Sequence, residues 1–418
     1  MNRVVLGDIA EIITGPFGSM LHKSDYVEEG FPLVMPQDIG DRIINFDSIA
    51  QISEIDAIRL EKYEAVENDI IYARRGDVEK HAFVVSEYGK IFCGTGCLRV
   101  RVNPEKANPL FISFYLSRPE CREWISKHAV GSNMPNINTE ILSDVPIELP
   151  DKAQQQKVVD FLSATERKIL HNRKINDNLL QQLQLIYNYW FTQFDFPSKE
   201  NHPYNASGGD MVRNEQVKRN IPANWEVKSL GELCLFRNGI NYDKSIEGEK
   251  TYKIINVRNI SSTDIMLNEN ELDEIRLPQK QGDKYCVSAE SIIIARSGIP
   301  GSTRILYKPS NNTIFCGFVI SCTPIDSDMQ YYLTFYLKQL ESSSATKTGG
   351  SILQNVSQDT LSNLIVPIPP KEILGKFNQI VSQTFELFHE NLKETSRLVK
   401  LRDWLLPLLM NGQATIDD

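Results

Sequence analysis

Two kinds of hydrophobic spacing alternate along this chain. In the first 150 residues, short apolar runs such as IIYAR, AFVVS and CLRVRV are broken by Gly, Pro and Asp. Runs rich in β-branched residues and bounded by turn formers predict strands. One longer stretch, LFISFYLSRPECREWISKH from Leu110, predicts a helix, so this part is a small mixed α/β domain. After Pro150 the spacing changes, and Lys152 to Phe196 contain neither Gly nor Pro. Val158, Thr165, Asn172, Leu179 and Ile186 stand seven apart, with Leu162, Ile169, Asn176, Leu183 and Trp190 as a second row. Heptad spacing of this kind predicts a long helix packed along its length.

The whole succession then recurs at an offset of 219 to 224 residues. Leu6-Gly7-Asp8-Ile9 matches Leu230-Gly231-Glu232-Leu233, and Gly15 matches Gly239. NDIIYARRG (Asn68 to Gly76) matches ESIIIARSG (Glu290 to Gly298), and IFCG and FYL each occur twice in the same order. GSNMPNINTEILSDVPIELP from Gly131 matches GSILQNVSQDTLSNLIVPIPP from Gly350. The helical row returns as Phe377, Thr384, Asn391, Leu398 and Leu405. Matches that keep their order over this distance define a duplicated unit.

The helices carry a geometric expectation. A helix of some 40 residues is roughly 60 Å long, which places Asn172 and Asn391 near the two midpoints. The 25-residue linker at 197–221 favours an antiparallel return, because a parallel one has to bring the chain back along the full helix. The two asparagines are then expected face to face, fixing register. The resulting expectation is α+β architecture: two similar domains at opposite ends of a pair of antiparallel coiled-coil helices, related by a pseudo-twofold axis.

Composition narrows the function. The chain has 418 residues, 41% of them hydrophobic, enough for two packed cores and incompatible with disorder as the main state. The amino terminus lacks a signal peptide's apolar core and no segment reaches 18 apolar residues, so a cytoplasmic protein is expected. Seven cysteines, an odd number, read as reduced buried thiols, and Cys93-x-x-x-Cys97 lacks the second pair that a zinc site needs. A net charge of −9 excludes coating nucleic acid through bulk charge, so contact with a polyanion has to be local or shared with a basic partner.

Catalytic signatures are absent. There is no DPPY or NPPF, no G-x-x-x-x-G-K-[ST], and no G-x-G-x-x-G after a strand. Asp151, Glu166 and Lys168 imitate a nuclease carboxylate-lysine pattern, but on one helix they project in different directions. Two similar, non-identical domains held at a fixed separation suit a split site on duplex DNA, which rewards twofold symmetry and defined spacing.

At this point the sequence resembles the specificity subunit of type I restriction-modification systems, across essentially its whole length. The resemblance rests on the LGD and LGE openings, DIIYARRG and SIIIARSG, GSNMPNIN and GSILQNVS, and the proline exits before each long helix. Above all it rests on HPYNASGGDMVRNEQVKRNIPANWEV, His202 to Val227. It implies a target recognition domain at residues 1–150, a spacer helix at 151–196, a linker at 197–221, a second recognition domain at 222–370 and a second spacer helix at 371–412. It further implies a non-catalytic chain that reads a split sequence in double-stranded DNA and docks methyltransferase subunits, two of them, and through them restriction subunits. S-adenosylmethionine, ATP and Mg would then belong to the partners, with no cofactor and no metal in this chain. The outward Gln154, Gln155, Gln181, Gln182, Lys371 and Lys400 and the cluster Tyr187-Tyr189-Trp190-Phe191 are the expected partner surface. The competing class is a symmetric protein-protein adaptor without DNA specificity.

The duplication sorts the candidate DNA contacts. A residue kept in both domains cannot distinguish two different half-sites, so Arg74 and Arg296 are candidates for phosphate contact, against a partly buried structural arginine. Residues that differ within matching loops are candidates for base reading: Arg75, Lys80 and His81 in the first unit, Ser297, Ser302, Thr303 and Arg304 in the second. After the domain helix come Lys127, His128, Ser132 and Asn133, matched by Lys347 and Ser351. Lys23, Tyr242 and Lys244 follow the glycine turns near each domain start, where solvated side chains are the ordinary alternative.

Overall fold

The computed structural model describes residues 2–18, 20–131, 134–242, 248–263, 265–345, 356–410 and 412–414, with the side chains of 342–345 left aside. It divides into two compact units, Met1–Lys168 with Leu398–Asp418, and Ile169–Arg397. The division passes through both long helices.

In the first unit a four-stranded antiparallel sheet takes the order Ala10–Thr14, Cys97–Val102, Asp69–Ala73, His81–Phe83. Every residue of Asp69–Ala73 is buried, because both faces of the sheet are covered. Alternation assigns its side chains to two cores. Ile70 and Tyr72 pack with Phe111, Phe114 and Leu162 of the helices, while Ile71 and Ala73 face Val34, Ile91 and Cys93 of a second sheet. That second sheet has five strands, including the parallel pair Phe31–Val34 and Ile91–Cys93. Asn2–Val5 pairs with Pro146–Leu149 and closes the unit beside the long helix.

The second unit repeats this plan. Its four-stranded sheet runs Cys234–Asn238, Val319–Pro324, Ile292–Ala295, Thr303–Ile305. Ile292 and Ile294 point to the helical core, and Ile293 and Ala295 to the core of a three-stranded sheet. Glu226–Ser229 pairs with Ile365–Ile368 as the closing ribbon. Close backbone approaches recur as well: a Cβ on Gly7 would lie 2.9 Å from Ser143 Cβ, and one on Gly231 3.0 Å from Ser362 Cβ.

The stretch expected as one helix from Leu110 is two, Pro109–Leu116 and Pro119–His128. Pro119 holds Arg118 in extended backbone (φ −63°, ψ 145°), ending the first helix and starting the second. In the second unit the matching helix runs unbroken over Gln330–Ala345.

The long helices span Lys152–Tyr187, extended by a π-helical turn at Asn188–Thr192, and Lys371–Met410. Within the second unit their pairing is antiparallel, since Asn172 bonds Glu394 at 2.7 Å and Asn176 bonds Asn391 at 2.9 Å. Asn391 therefore faces Asn176 and not Asn172. The register lies one turn from the expected one, because Asn391 falls opposite the second heptad row, all of whose members are buried. Asn176 Nδ2 also reaches the Phe388 carbonyl at 3.2 Å, so the pair is embedded in backbone hydrogen bonding. Within the first unit Val158 and Leu162 share a core with Leu406, Leu409 and Met410.

The segment between the long helix and the second sheet is folded. Met211–Asn214 and Arg219–Pro222 form a hairpin, and Trp225 stacks on Phe196 and meets Phe194 edge-on. The SGG string has a steric cause, because a Cβ on Gly209 would lie 2.5 Å from the Tyr204 ring.

Candidate nucleic-acid interface

In each unit the antiparallel order brings the same loops to one end of the four-stranded sheet. In the first unit these are the exit of Ala10–Thr14, the turn Gly94–Gly96, and the loop from Arg74 to Lys80. The Arg74 amide donates to the Gly96 carbonyl at 2.8 Å and the Gly15 amide to the Cys97 carbonyl at 2.9 Å, locking the three together. A fourth loop joins them. The Gly76 amide bonds the Pro135 carbonyl, the Ile137 amide bonds the Arg74 carbonyl, and Val130 and Asn136 exchange both backbone bonds. Ser126 at the end of the helix Pro119–His128 donates to Glu79 at 2.7 Å. The two candidate loops of the first unit are thus one surface.

The second unit preserves the frame. Arg296 donates its amide to the Phe318 carbonyl at 2.9 Å, and Gly239 to the Val319 carbonyl at 3.1 Å. Gly76 (φ +77°) and Gly298 (φ +76°) make the same left-handed turn after the arginines, a conformation that disfavours side chains.

On this frame Arg75 and Arg296 are exposed and Arg74 is half-buried, with its Nε enclosed and without a hydrogen-bond partner among the described residues. Lys23 and Lys127 are exposed, the latter paired with Glu123 at 2.7 Å, and Lys80 is paired with Asp77 at 2.6 Å. His128 is exposed, stacked on Trp124 with its Nδ1 2.8 Å from the Trp124 carbonyl. Ser297 and Tyr242 are half-buried, and burial raises the Tyr242 phenol above its usual range, aided by Cys316 and Asp273. Ser132, Asn133, Lys244, Lys347 and Ser351 lie outside the described residues.

Four expected base readers are corrected. His81 is 1% exposed, stacks on Tyr72 at 4.9 Å between centroids, and has Nε2 3.1 Å from the Ser113 carbonyl. Burial, then the positive fields of Arg42 and Arg122, hold its imidazole neutral with a pKa of about 3. Ser302 and Thr303 are buried. Arg304 is buried too, donating to the carbonyls of Ile260 and Thr263 and pairing with Glu341 at 3.0 Å. The duplication hides this, because residues at matching positions differ for packing reasons as well as for recognition. The first unit also buries an arginine, Arg42, which reaches Ser113 Oγ at 3.0 Å, lies 3.6 Å from the Phe114 ring centroid and pairs with Glu166.

The expected partner surface is also reduced. Tyr187, Trp190 and Phe191 are core residues of the second unit, leaving Tyr189 exposed. Gln155 is buried, its Oε1 accepting from the Asn108 amide at 2.8 Å. Gln154, Gln181, Gln182, Lys371 and Lys400 face outward.

Asp151 caps the start of its helix through the Gln154 amide, while Glu166 pairs with Arg42 and Arg402, so these carboxylates serve separate structural contacts. Among the described residues no cluster of three or more His, Cys, Asp and Glu is placed to hold a metal ion, and no helix is long and apolar enough to cross a membrane. All seven cysteines are free.

The duplicated frame is matched by a known sequence family. Residues 1–181 and 222–398 each fit the type I restriction modification DNA specificity domain. The chain belongs to that family. A type I restriction enzyme specificity subunit of Haemophilus influenzae, HindI, is 24% identical over 98% of both chains. One from Methanocaldococcus jannaschii, MjaIX, is 25% identical over 71% of this chain and 67% of its own. The crystal structure of a type I restriction-modification S subunit from M. genitalium superposes with a TM-score of 0.57 at 16% identity, covering 100% of this chain and 96% of that one. The family assigns this chain the specificity role, which is non-catalytic; catalysis lies in other subunits. Neither the exposed Phe17 nor the exposed Phe318 on the frame was flagged by the sequence, since no spacing marks a lone surface aromatic.

Proposed function

We propose that this specificity subunit reads a split target in double-stranded DNA, each unit reading one block with the loops at the end of its four-stranded sheet. The observation that carries the proposal is the repeated frame, in which corresponding backbone contacts hold an arginine-glycine turn while the residue after the arginine differs, an exposed Arg75 in one unit and a half-buried Ser297 in the other. Shared arginines on shared backbone suit phosphate positioning, and divergent neighbours suit base reading. The outward Gln and Lys residues of the long helices then dock two methyltransferase subunits, and restriction subunits join through them, in the cytoplasm. The net charge of −9 fits a chain that shares the polyanion with basic partners. S-adenosylmethionine, ATP and Mg belong to those partners in this scheme.

The test is to co-express the chain with the methyltransferase encoded beside it and map N6-methyladenine across the host genome, omitting the chain as control. Two short defined blocks around a fixed unspecified spacer are expected. A stable complex without chain-dependent methylation overturns the proposal in favour of an adaptor.

A further inference from the structure

Each unit presents one exposed phenylalanine on the loops beside its shared arginine. Phe17 is 58% exposed and Phe318 62% exposed. Single exposed apolar residues are ordinary on protein surfaces; these two are set apart by position. Phe318 is the residue whose carbonyl accepts the Arg296 amide, and the strand that follows it is bonded to Gly239. Phe17 stands two residues after Gly15, whose amide bonds the Cys97 carbonyl at the corresponding place.

The two rings come from different strands. The position matching Phe318 in the first unit is Gly96, which has φ +84° and would bring a Cβ within 3.2 Å of Pro36, so an aromatic does not fit there. The position matching Phe17 in the second unit is Asn241, whose Oδ1 lies where a Cβ on Gly317 would be, 1.9 Å away. Each unit thus lacks the other's phenylalanine and carries its own on the neighbouring strand connection. The Phe318 backbone is fixed by its sheet-end hydrogen bond, and Phe17 follows the one at Gly15 with its carbonyl accepting the Met20 amide at 2.8 Å, so presenting either ring requires little backbone ordering on binding. Val130 and Met134 are also exposed in the first unit, but their counterparts lie outside the described residues.

Building on the DNA-reading function proposed above, we infer that Phe17 and Phe318 are specificity-determining residues, one per half-site, that recognise the 5-methyl group of a thymine in the major groove. A phenyl ring has no donor or acceptor, so apolar contact with that methyl is the base feature it can select.

The experiment uses the complex with its methyltransferase and a duplex carrying the motif from the methylation map, each thymine replaced in turn by uracil, which lacks only the methyl. One replacement in one block is expected to weaken wild-type binding about five- to tenfold. Phe318→Ala should lose the same factor on the thymine duplex and nothing further on that uracil duplex, with Phe17→Ala doing so in the other block. Both side chains are exposed, so co-purification with the methyltransferase is expected to be unchanged and reports that each variant is folded. Blocks without a uracil-sensitive thymine, or variants that remain uracil-sensitive, overturn the inference while leaving the split-target function standing. A wild-type complex that methylates no split motif instead overturns the function on which the inference rests.

Discussion

Arg99 and Arg237 cap the same pair of backbone carbonyls from neighbouring strands of the duplicated sheet. Arg99 Nη1 donates to the carbonyls of Lys62 and Glu64 at 3.1 and 2.7 Å, and Arg237 donates to those of Lys284 and Cys286 at 3.1 and 3.0 Å. The carbonyls occupy matching positions, but the arginines do not. Arg99 sits opposite Ile13, and Arg237 opposite Ser321. Cross-strand partners lie about 5 Å apart, within the reach of a guanidinium, so either strand can supply the cap.

This relationship predicts a rescue. Arg99 is buried, so Arg99→Ser removes the donor to the Lys62 and Glu64 carbonyls and leaves the neighbouring carboxylates of Glu11 and Asp69 less compensated. A loss of about 2–4 kcal/mol is expected in chemical denaturation. Adding Ile13→Arg, which reproduces the arrangement of the second unit, should recover a substantial part of it. Arg237 is exposed, and Arg237→Ala should cost about 1 kcal/mol.

The Asn176–Asn391 pair predicts non-additivity. Asn391→Leu strands the Asn176 amide oxygen in a buried layer and should destabilise by about 1–3 kcal/mol. The double change to Leu should recover much of this, as for an interior polar pair replaced by apolar side chains, with weaker specification of register. A double-mutant cycle by denaturant unfolding checks it.

The shared arginines predict a uniform effect on DNA. Arg296→Ala in the assembled complex should weaken binding to target and unrelated duplexes alike and reduce the slope of log affinity against log salt by about 1. The methylated motif should stay the same. Titrations at several salt concentrations measure this, and a changed motif would move Arg296 into the base-reading set.

His81 predicts a pH-dependent stability difference. Its folded pKa of about 3 lies below the ordinary value of 6.5, so between these limits the unfolded chain binds a proton that the folded chain does not. The contribution of His81 therefore falls as the pH drops from about 6.5, by at most about 1.4 kcal/mol per unit, and is constant well above it. His81→Gln should lose less stability than wild type between pH 7 and pH 5, as read by denaturation midpoints at each pH.

The sequence by itself determined the duplication, the two mixed domains and the long helices, because these depend on local spacing: alternation across a strand, heptads along a helix, prolines at the exits. The matching ARRG and ARSG strings were visible for the same reason, whereas the left-handed turn at Gly76 and Gly298 became evident only in the structure. Tertiary structure alone decided which of the marked side chains reach the surface. Arg75 and His81 are separated by six positions in one loop and strand, yet the first is exposed and the second enclosed by Ser113, Tyr72 and Arg42. Arg296 and Arg304 divide in the same way, the second held by Glu341 from the helix Gln330–Ala345. The register of the helices was also beyond the sequence: heptads mark which faces meet, but not the layer in which Asn391 meets Asn176. Burial and register arise from contacts between residues far apart in the chain, and neither leaves a period along it.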